Sequence, residues 1–210
     1  MFISFEGIEG CGKTTQLEML RDHLEWKGKS CVVVREPGGT ELGERIRNIL
    51  LVMEDEAEGI EPWAELFLYS ASRAQLVKNV IKPCLEDGKV VLCDRFTDST
   101  LAYQGYGRGL DIDAIKTINS YSTFGITPDV TILIDCPVET GLKRAWHRIK
   151  NSEGATEDRF EREAIEFHQR VRRGYLELAQ KEPQRIRVVD GTGEISVIHG
   201  KICDIIDKVI

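Results

Sequence analysis

A three-layer α/β sandwich, with a parallel sheet held between layers of helices, is the fold this sequence predicts. Five short apolar runs rich in β-branched residues recur at 2–6, 31–34, 90–93, 130–134 and 186–189, and longer segments with helical periodicity separate them. Such runs are apolar on both faces, as strands of a sheet covered on both sides must be. The stretch Gly7-Ile8-Glu9-Gly10-Cys11-Gly12-Lys13-Thr14 follows the first run directly. It satisfies G-x-x-x-x-G-K-[ST], a phosphate-cradling loop that joins a strand to a helix.

The elements follow in order. After strand 2–6 the loop's glycines permit positive φ and close backbone approach, so that amide groups can face phosphate oxygens at the start of the next helix. Lys13 would reach the β- and γ-phosphates and Thr14 would hold Mg²⁺. The helix from Thr14 to Trp26 carries Leu17, Leu20 and Leu24 on one face and stops at Gly28. Strand 31–34 leads to a helix from Leu42 to Leu51 and a long one from Pro62 to Leu85. Strand 90–93 is followed by the polar run 98–105, which reads as a turn and a helix start. Helices near 111–124 and 137–149 flank strand 130–134, and helices near 160–181 and 194–209 flank strand 186–189. The polar, acidic stretch from Lys150 to Asp158 lacks a core-facing pattern, and is either a solvated loop or the tip of a mobile lid. No internal repeat or Pro/Ser-rich linker divides the chain, so 1–210 reads as a single domain.

Composition narrows the function. A chain of 210 residues that is 41% hydrophobic can bury one substantial core. Its 28 basic and 35 acidic residues leave −7, which argues against a nucleic-acid or membrane-surface binder. An anionic ligand must therefore be met locally, by converging cations. The six cysteines (11, 31, 84, 93, 136 and 203) show no metal-ligand spacing. With Cys31, Cys93 and Cys136 in or beside apolar runs, they read as buried thiols of a reducing cytoplasm. No basic leader and no long uncharged apolar run is present, which points to a soluble cytoplasmic protein.

Further constellations carry chemistry. The third strand ends in Asp94-Arg95; a carboxylate there can complete a Mg²⁺ site opposite Thr14, and the guanidinium can grip a second phosphate. A plain strand-end salt bridge is the alternative. Tyr69 and Arg73, four apart on the long helix, share a face that suits a base stacked on the ring. Ser99, Thr100, Tyr103 and Gln104 crowd polar groups beside Arg95. Lys143, Arg144, His147, Arg148 and Lys150 cluster positive charge on an acidic chain, and a closing segment could bring such an arginine to a migrating phosphoryl group.

Together, Phe5 to Gln16, Arg35-Glu36-Pro37-Gly38-Gly39-Thr40, Asp94-Arg95-Phe96 and Ala102-Tyr103-Gln104-Gly105 resemble the thymidylate kinases, which phosphorylate dTMP to dTDP with ATP and Mg²⁺ in dTTP biosynthesis. The resemblance covers nearly the whole chain. It implies the P-loop NTPase three-layer sandwich with a five-stranded parallel sheet, a lid at about 142–160, and a homodimer. It further implies ATP binding by Gly7 to Thr15, with Ile8 and Cys11 inside that loop. Glu9 would approach the sugar 3′-hydroxyl, and Tyr103 would lie under the deoxyribose. Arg95 would hold the dTMP phosphate, and Arg73 would reach base or phosphate. Ser99, Thr100 and Gln104 would lie near the thymine, with Glu36 and Arg47 around the nucleotide. Gly10 stands where some members carry a catalytic arginine, so the bacterial pattern applies, in which Arg148, backed by Arg144, supplies that charge. The chain departs from the family at Tyr69, where Phe is usual, and in the length and acidity of Asn151 to Glu157. A kinase of another nucleotide or a deoxynucleoside shares the loop. A GTPase switch is a more distant rival, because Asp190-Gly191-Thr192-Gly193 fits D-x-x-G but falls in the last strand. A nucleotide-holding module without turnover is a third.

Overall fold

In a computed structural model that describes residues 1–52, 59–151 and 157–210, the five apolar runs form one sheet in which every pairing is parallel. Across the sheet run β2 (Cys31–Arg35), β3 (Val90–Asp94), β1 (Phe2–Glu6), β4 (Val130–Asp135) and β5 (Ile186–Asp190). The central β1 is buried along its whole length. Strand order reverses at β1, and the crevice beyond the carboxyl ends of β1, β3 and β4 is where such sheets bind ligands.

Most of the helices form where the sequence periodicity predicts them. The first, α1 (Lys13–Trp26), buries Leu17, Leu20 and Leu24. The second, α2 (Glu41–Leu51), starts at Thr40, whose hydroxyl accepts the Gly43 amide at 3.0 Å. Next, α3 (Pro62–Leu76) starts with proline in its first turn, and the Glu61 carboxylate accepts the Trp63 and Ala64 amides. The long helix expected here is continuous but passes through a π-helical stretch, Val77–Ile81, into α4 (Lys82–Glu86). After β3, the short α5 (Thr97–Thr100) runs into a second π-helical stretch, Leu101–Gly107. Then come α6 (Ile112–Thr123), α7 (Val138–Lys150), α8 (Ile165–Lys181) and α9 (Ile195–Ile206).

Two expectations need correction. The helix predicted from 160 begins only at Ile165. The preceding turn instead buries Phe160, whose ring meets Tyr103 edge-on at 5.3 Å, a contact that a helix pattern does not anticipate. Cys31 is only partly buried, because β2 is an edge strand; all six thiols are free. Of the acidic stretch between α7 and α8, residues 152–156 lie outside the described residues.

The carboxyl end of β1 is tied to its surroundings through Glu6, which has no solvent exposure. Its Oε1 accepts the Phe96 amide at 2.8 Å, and its Oε2 accepts the hydroxyls of Ser99 at 2.6 Å and Tyr175 at 2.9 Å. Burial, reinforced by Asp98, pushes the Glu6 carboxyl from 4.5 up to about 7 against the pull of Ser99 and Arg95. The folded chain then keeps a proton that the unfolded chain releases near 4.5, so this group favours folding most below that pH and the benefit is lost as pH rises to about 7. We expect the unfolding free energy of the native chain, from urea titrations, to fall between pH 5 and 7 more steeply than that of Glu6→Gln, by about 3 kcal/mol at most. Parallel pH profiles would show that the group carries no such linkage.

Candidate active site

The loop after β1 adopts the conformation its glycines permit: Gly7, Gly10 and Gly12 have φ of 138°, 66° and 100°. Gly12 caps α1, whose first turn contains no acidic residue to offset the positive helix end. Lys13 is nearly buried, and its Nζ donates to the carbonyls of Ile8 at 2.9 Å and Gly7 at 3.1 Å. Ile8 and Cys11 are buried side chains that anchor the loop in the core. Residues Glu9 to Thr15 line a cavity of about 1190 Å³, while Gly7 and Ile8 lie behind its wall.

Gly10 is pressed against α7. A Cβ at this position would stand 2.0 Å from the Gly141 carbonyl oxygen and 2.9 Å from the Ala145 nitrogen. No side chain fits there, arginine included. At the ends of β3 and α1, Thr14 Oγ1 donates to Asp94 Oδ2 at 2.7 Å. The two residues expected to share a metal are thus adjacent, and their hard oxygen donors suit Mg²⁺, which commonly takes one or two protein ligands and completes its shell with phosphate and water.

Arg95 is the centre of the site. It has a left-handed backbone, φ 70°, costly for a non-glycine residue and sustained by its side-chain contacts. Its Nη1 donates to Gly7 O at 3.0 Å and to the hydroxyls of Ser99 and Tyr175 at 3.2 Å. Its Nη2 donates to Glu9 Oε1 at 3.0 Å and Tyr103 Oη at 3.1 Å, with the guanidinium 5.0 Å from the centre of the Tyr103 ring. The Tyr103 hydroxyl donates to Glu9 Oε1 at 2.5 Å. Burial works to raise the Glu9 carboxyl, but His168, Arg95 and Lys13 outweigh it and hold the group at about 2.

The other side of the cavity carries Tyr69, Arg73, Thr100 and Gln104. Phe67, two residues before Tyr69, is exposed and packs toward Trp63, so Tyr69 is the ring at the cavity. The Arg73 guanidinium is 1% exposed and fully engaged. It donates to Glu36 Oε2 at 2.8 Å, Asn119 Oδ1 at 2.9 Å, Thr100 Oγ1 at 2.8 Å and Phe96 O at 3.3 Å. Burial outweighs Arg73 and pushes the Glu36 carboxyl up. Arg47 also lines the cavity, held by the Pro37 carbonyl at 2.9 Å and by both oxygens of Glu157 at 2.7 and 2.5 Å. One acid of the segment between α7 and α8 is thereby accounted for.

Arg144 and Arg148 project from α7 into the cavity lining. Arg144 Nη1 donates to Gly191 O at 3.1 Å, in the loop after β5. Arg148 is 65% exposed and meets the largely buried Glu161 at 3.5 Å. His168 is a residue the sequence reading missed: it is fully buried, with Nδ1 3.3 Å from Glu9 Oε2. Tyr175, Phe160 and Glu161 were missed likewise. Phe167, Val171, Tyr175 and Leu178 form the buried stripe of α8, and His168 beside that stripe was the available signal.

Known proteins resemble the chain over nearly its full length. A family model described as "Thymidylate kinase" matches residues 5–202. A thymidylate kinase of Citrifermentans bemidjiense is 56% identical over 194 residues, covering 92% of this chain and 85% of its own. One of Desulfosudis oleivorans is 50% identical over 210 residues, covering 100% and 97%. A crystal structure of thymidylate kinase from Ehrlichia chaffeensis superposes with a TM-score of 0.76 at 36% identity, covering 98% of both chains. The phosphate loop, the Thr14–Asp94 pair, the Arg95 cluster and these likenesses over nearly the full length agree: the chain belongs to the thymidylate kinase family.

Proposed function

We propose that this chain transfers the γ-phosphoryl group of ATP to the phosphate of dTMP, forming dTDP for dTTP synthesis, with Mg²⁺ as cofactor. The observation that carries the reading is the Arg95 guanidinium, set beside Glu9 and Tyr103 one loop away from Lys13. A cationic acceptor pocket next to a phosphate loop is what transfer between two phosphates requires.

The acceptor phosphate is already ionised and is its own nucleophile, so no general base is needed. Catalysis rests on positioning and on neutralising charge. Lys13 meets the donor phosphates, and Arg95 holds the acceptor phosphate. Glu9 and Tyr103 face the sugar, while Tyr69, Arg73, Ser99, Thr100 and Gln104 surround the base, with Glu36 and Arg47 at the nucleotide's edge. Thr14 and Asp94 would hold Mg²⁺, which would supply positive charge to neutralise the donor phosphates. Arg148 is exposed, and among the described residues its side chain meets Glu161 at 3.5 Å; it swings to the migrating group, and Arg144 supports it from the Gly191 side. Gly10 has no room for a side chain, which supports a charge supplied from outside the loop, by α7.

The whole chain, 1–210, acts as one nucleoside-monophosphate-kinase-like domain, its lid at about 142–160. It works in the cytoplasm as a homodimer without nucleic acid or membrane. The net charge of −7 opposes binding to either anionic surface, and among the described residues no helix is long and apolar enough to cross a membrane. Exposed Leu42, Ile49 and Phe67 on the packed pair α2 and α3 offer an apolar face to a second copy.

Two outcomes test this reading. In an ADP-release assay across dTMP, dUMP, dCMP, dGMP and thymidine, dTMP should give the highest kcat/KM; preferred turnover of another acceptor would redirect the assignment. Arg148→Ala should lower kcat by about 10²-fold with a modest change in KM for either substrate, since the contact forms mainly in the transition state. An unchanged kcat would move that role to another residue.

A further inference from the structure

Glu65, on α3 one turn before Tyr69, has no solvent exposure and no part in the chemistry above. Its Oε1 accepts Gln104 Nε2 at 2.6 Å and Arg108 Nε at 3.3 Å. Its Oε2 accepts Arg108 Nη2 at 3.2 Å and also Arg159 Nη2. A carboxylate between two guanidinium groups only accepts hydrogen bonds. The amide of Gln104 can therefore meet it only with the –NH₂ end, and the carbonyl end is directed away, in a side chain that lines the cavity. Across the same wall, Thr100 Oγ1 accepts from Arg73 Nη2 at 2.8 Å. A hydroxyl that accepts from arginine has its proton to donate elsewhere.

The wall thus presents an acceptor from Gln104 and a donor from Thr100. With Gln104 facing N3 and Thr100 facing C4, that pair matches a pyrimidine with N–H at N3 and C=O at C4, and mismatches one with a bare N3 and an amino group at C4. We propose that Glu65 is a specificity-positioning residue, which fixes the Gln104 amide so that the cavity selects a 4-oxo over a 4-amino pyrimidine. The inference rests on the proposed placement of the base beside Gln104 and Thr100. Its energetic basis is that a mismatched base leaves buried polar groups unpaired on both sides. Without the carboxylate the amide can turn over, and the wall no longer distinguishes the two edges.

The test compares kcat/KM for dTMP and for 5-methyl-dCMP, which keeps the methyl group, sugar and phosphate and inverts the N3/C4 edge. The native chain should favour dTMP by about 10³-fold or more. In Glu65→Gln, whose amide can donate or accept, the ratio should fall by about tenfold or more, the loss on dTMP lying chiefly in KM. A packing defect slows both substrates alike and leaves the ratio unchanged, which would overturn the proposal. Should Glu65→Gln not fold, Glu65→Asp keeps a carboxylate for the arginines while withdrawing it from Gln104, and the same fall or constancy of the ratio decides. A native chain that turns over no dTMP would overturn the proposed function itself, and this inference with it; native dTMP turnover with an unaltered ratio in the variant overturns this inference alone.

Discussion

The Arg95 guanidinium joins the parts of the chain that make the site. Its donors reach the phosphate loop at Gly7 and Glu9, the short helix α5 at Ser99, the π-helical stretch at Tyr103 and the helix α8 at Tyr175. It extends from a left-handed backbone position, an arrangement that costs about 1–3 kcal/mol and persists only where surrounding contacts over-determine it. Glu6 completes that support: it accepts the same Ser99 and Tyr175 hydroxyls that receive Arg95, so the buried end of β1 fixes the oxygens on which the guanidinium rests. Carboxylate, hydroxyls and cation form one unit, and burial makes each member dependent on the others.

A second constraint is steric. The phosphate loop and α7 touch through two glycines: a side chain at Gly10 would strike the Gly141 carbonyl, and one at Gly141 would meet the Glu9 carbonyl at 2.5 Å. The close approach sets α7, with its basic last turn, against the phosphate loop and leaves no space for a side chain at Gly10. Loop composition and lid composition are thereby linked by packing. Position 10 is closed to a side chain here, and Arg144 and Arg148 stand on the helix that closes it.

Much of the architecture was legible because its signals are local. Five apolar runs gave the five strands, and Pro62 and Gly28 marked helix ends through local chemistry. Asp94 and Thr14 were predictable partners, since strand ends and loop motif are both set by the chain's immediate neighbours. What stayed hidden depends on contacts between distant segments. The late start of α8 follows from Phe160 packing on Tyr103, and the π-helical register of Leu101–Gly107 from packing of that stretch against α8. His168 and Glu65 read as one polar residue beside an apolar stripe and one helix acid. Their significance appears only when Glu9 and Gln104 arrive from elsewhere in the chain.

The central claim is that Arg95 grips the acceptor phosphate through a planar, forked guanidinium rather than by charge alone. Arg95→Lys keeps the charge and removes the fork. Steady-state kinetics of this variant with each substrate varied in turn tests the claim most directly: KM for dTMP should rise by about tenfold or more while KM for ATP stays within about twofold. Equal increases in both, or no change in the dTMP term, would contradict the account.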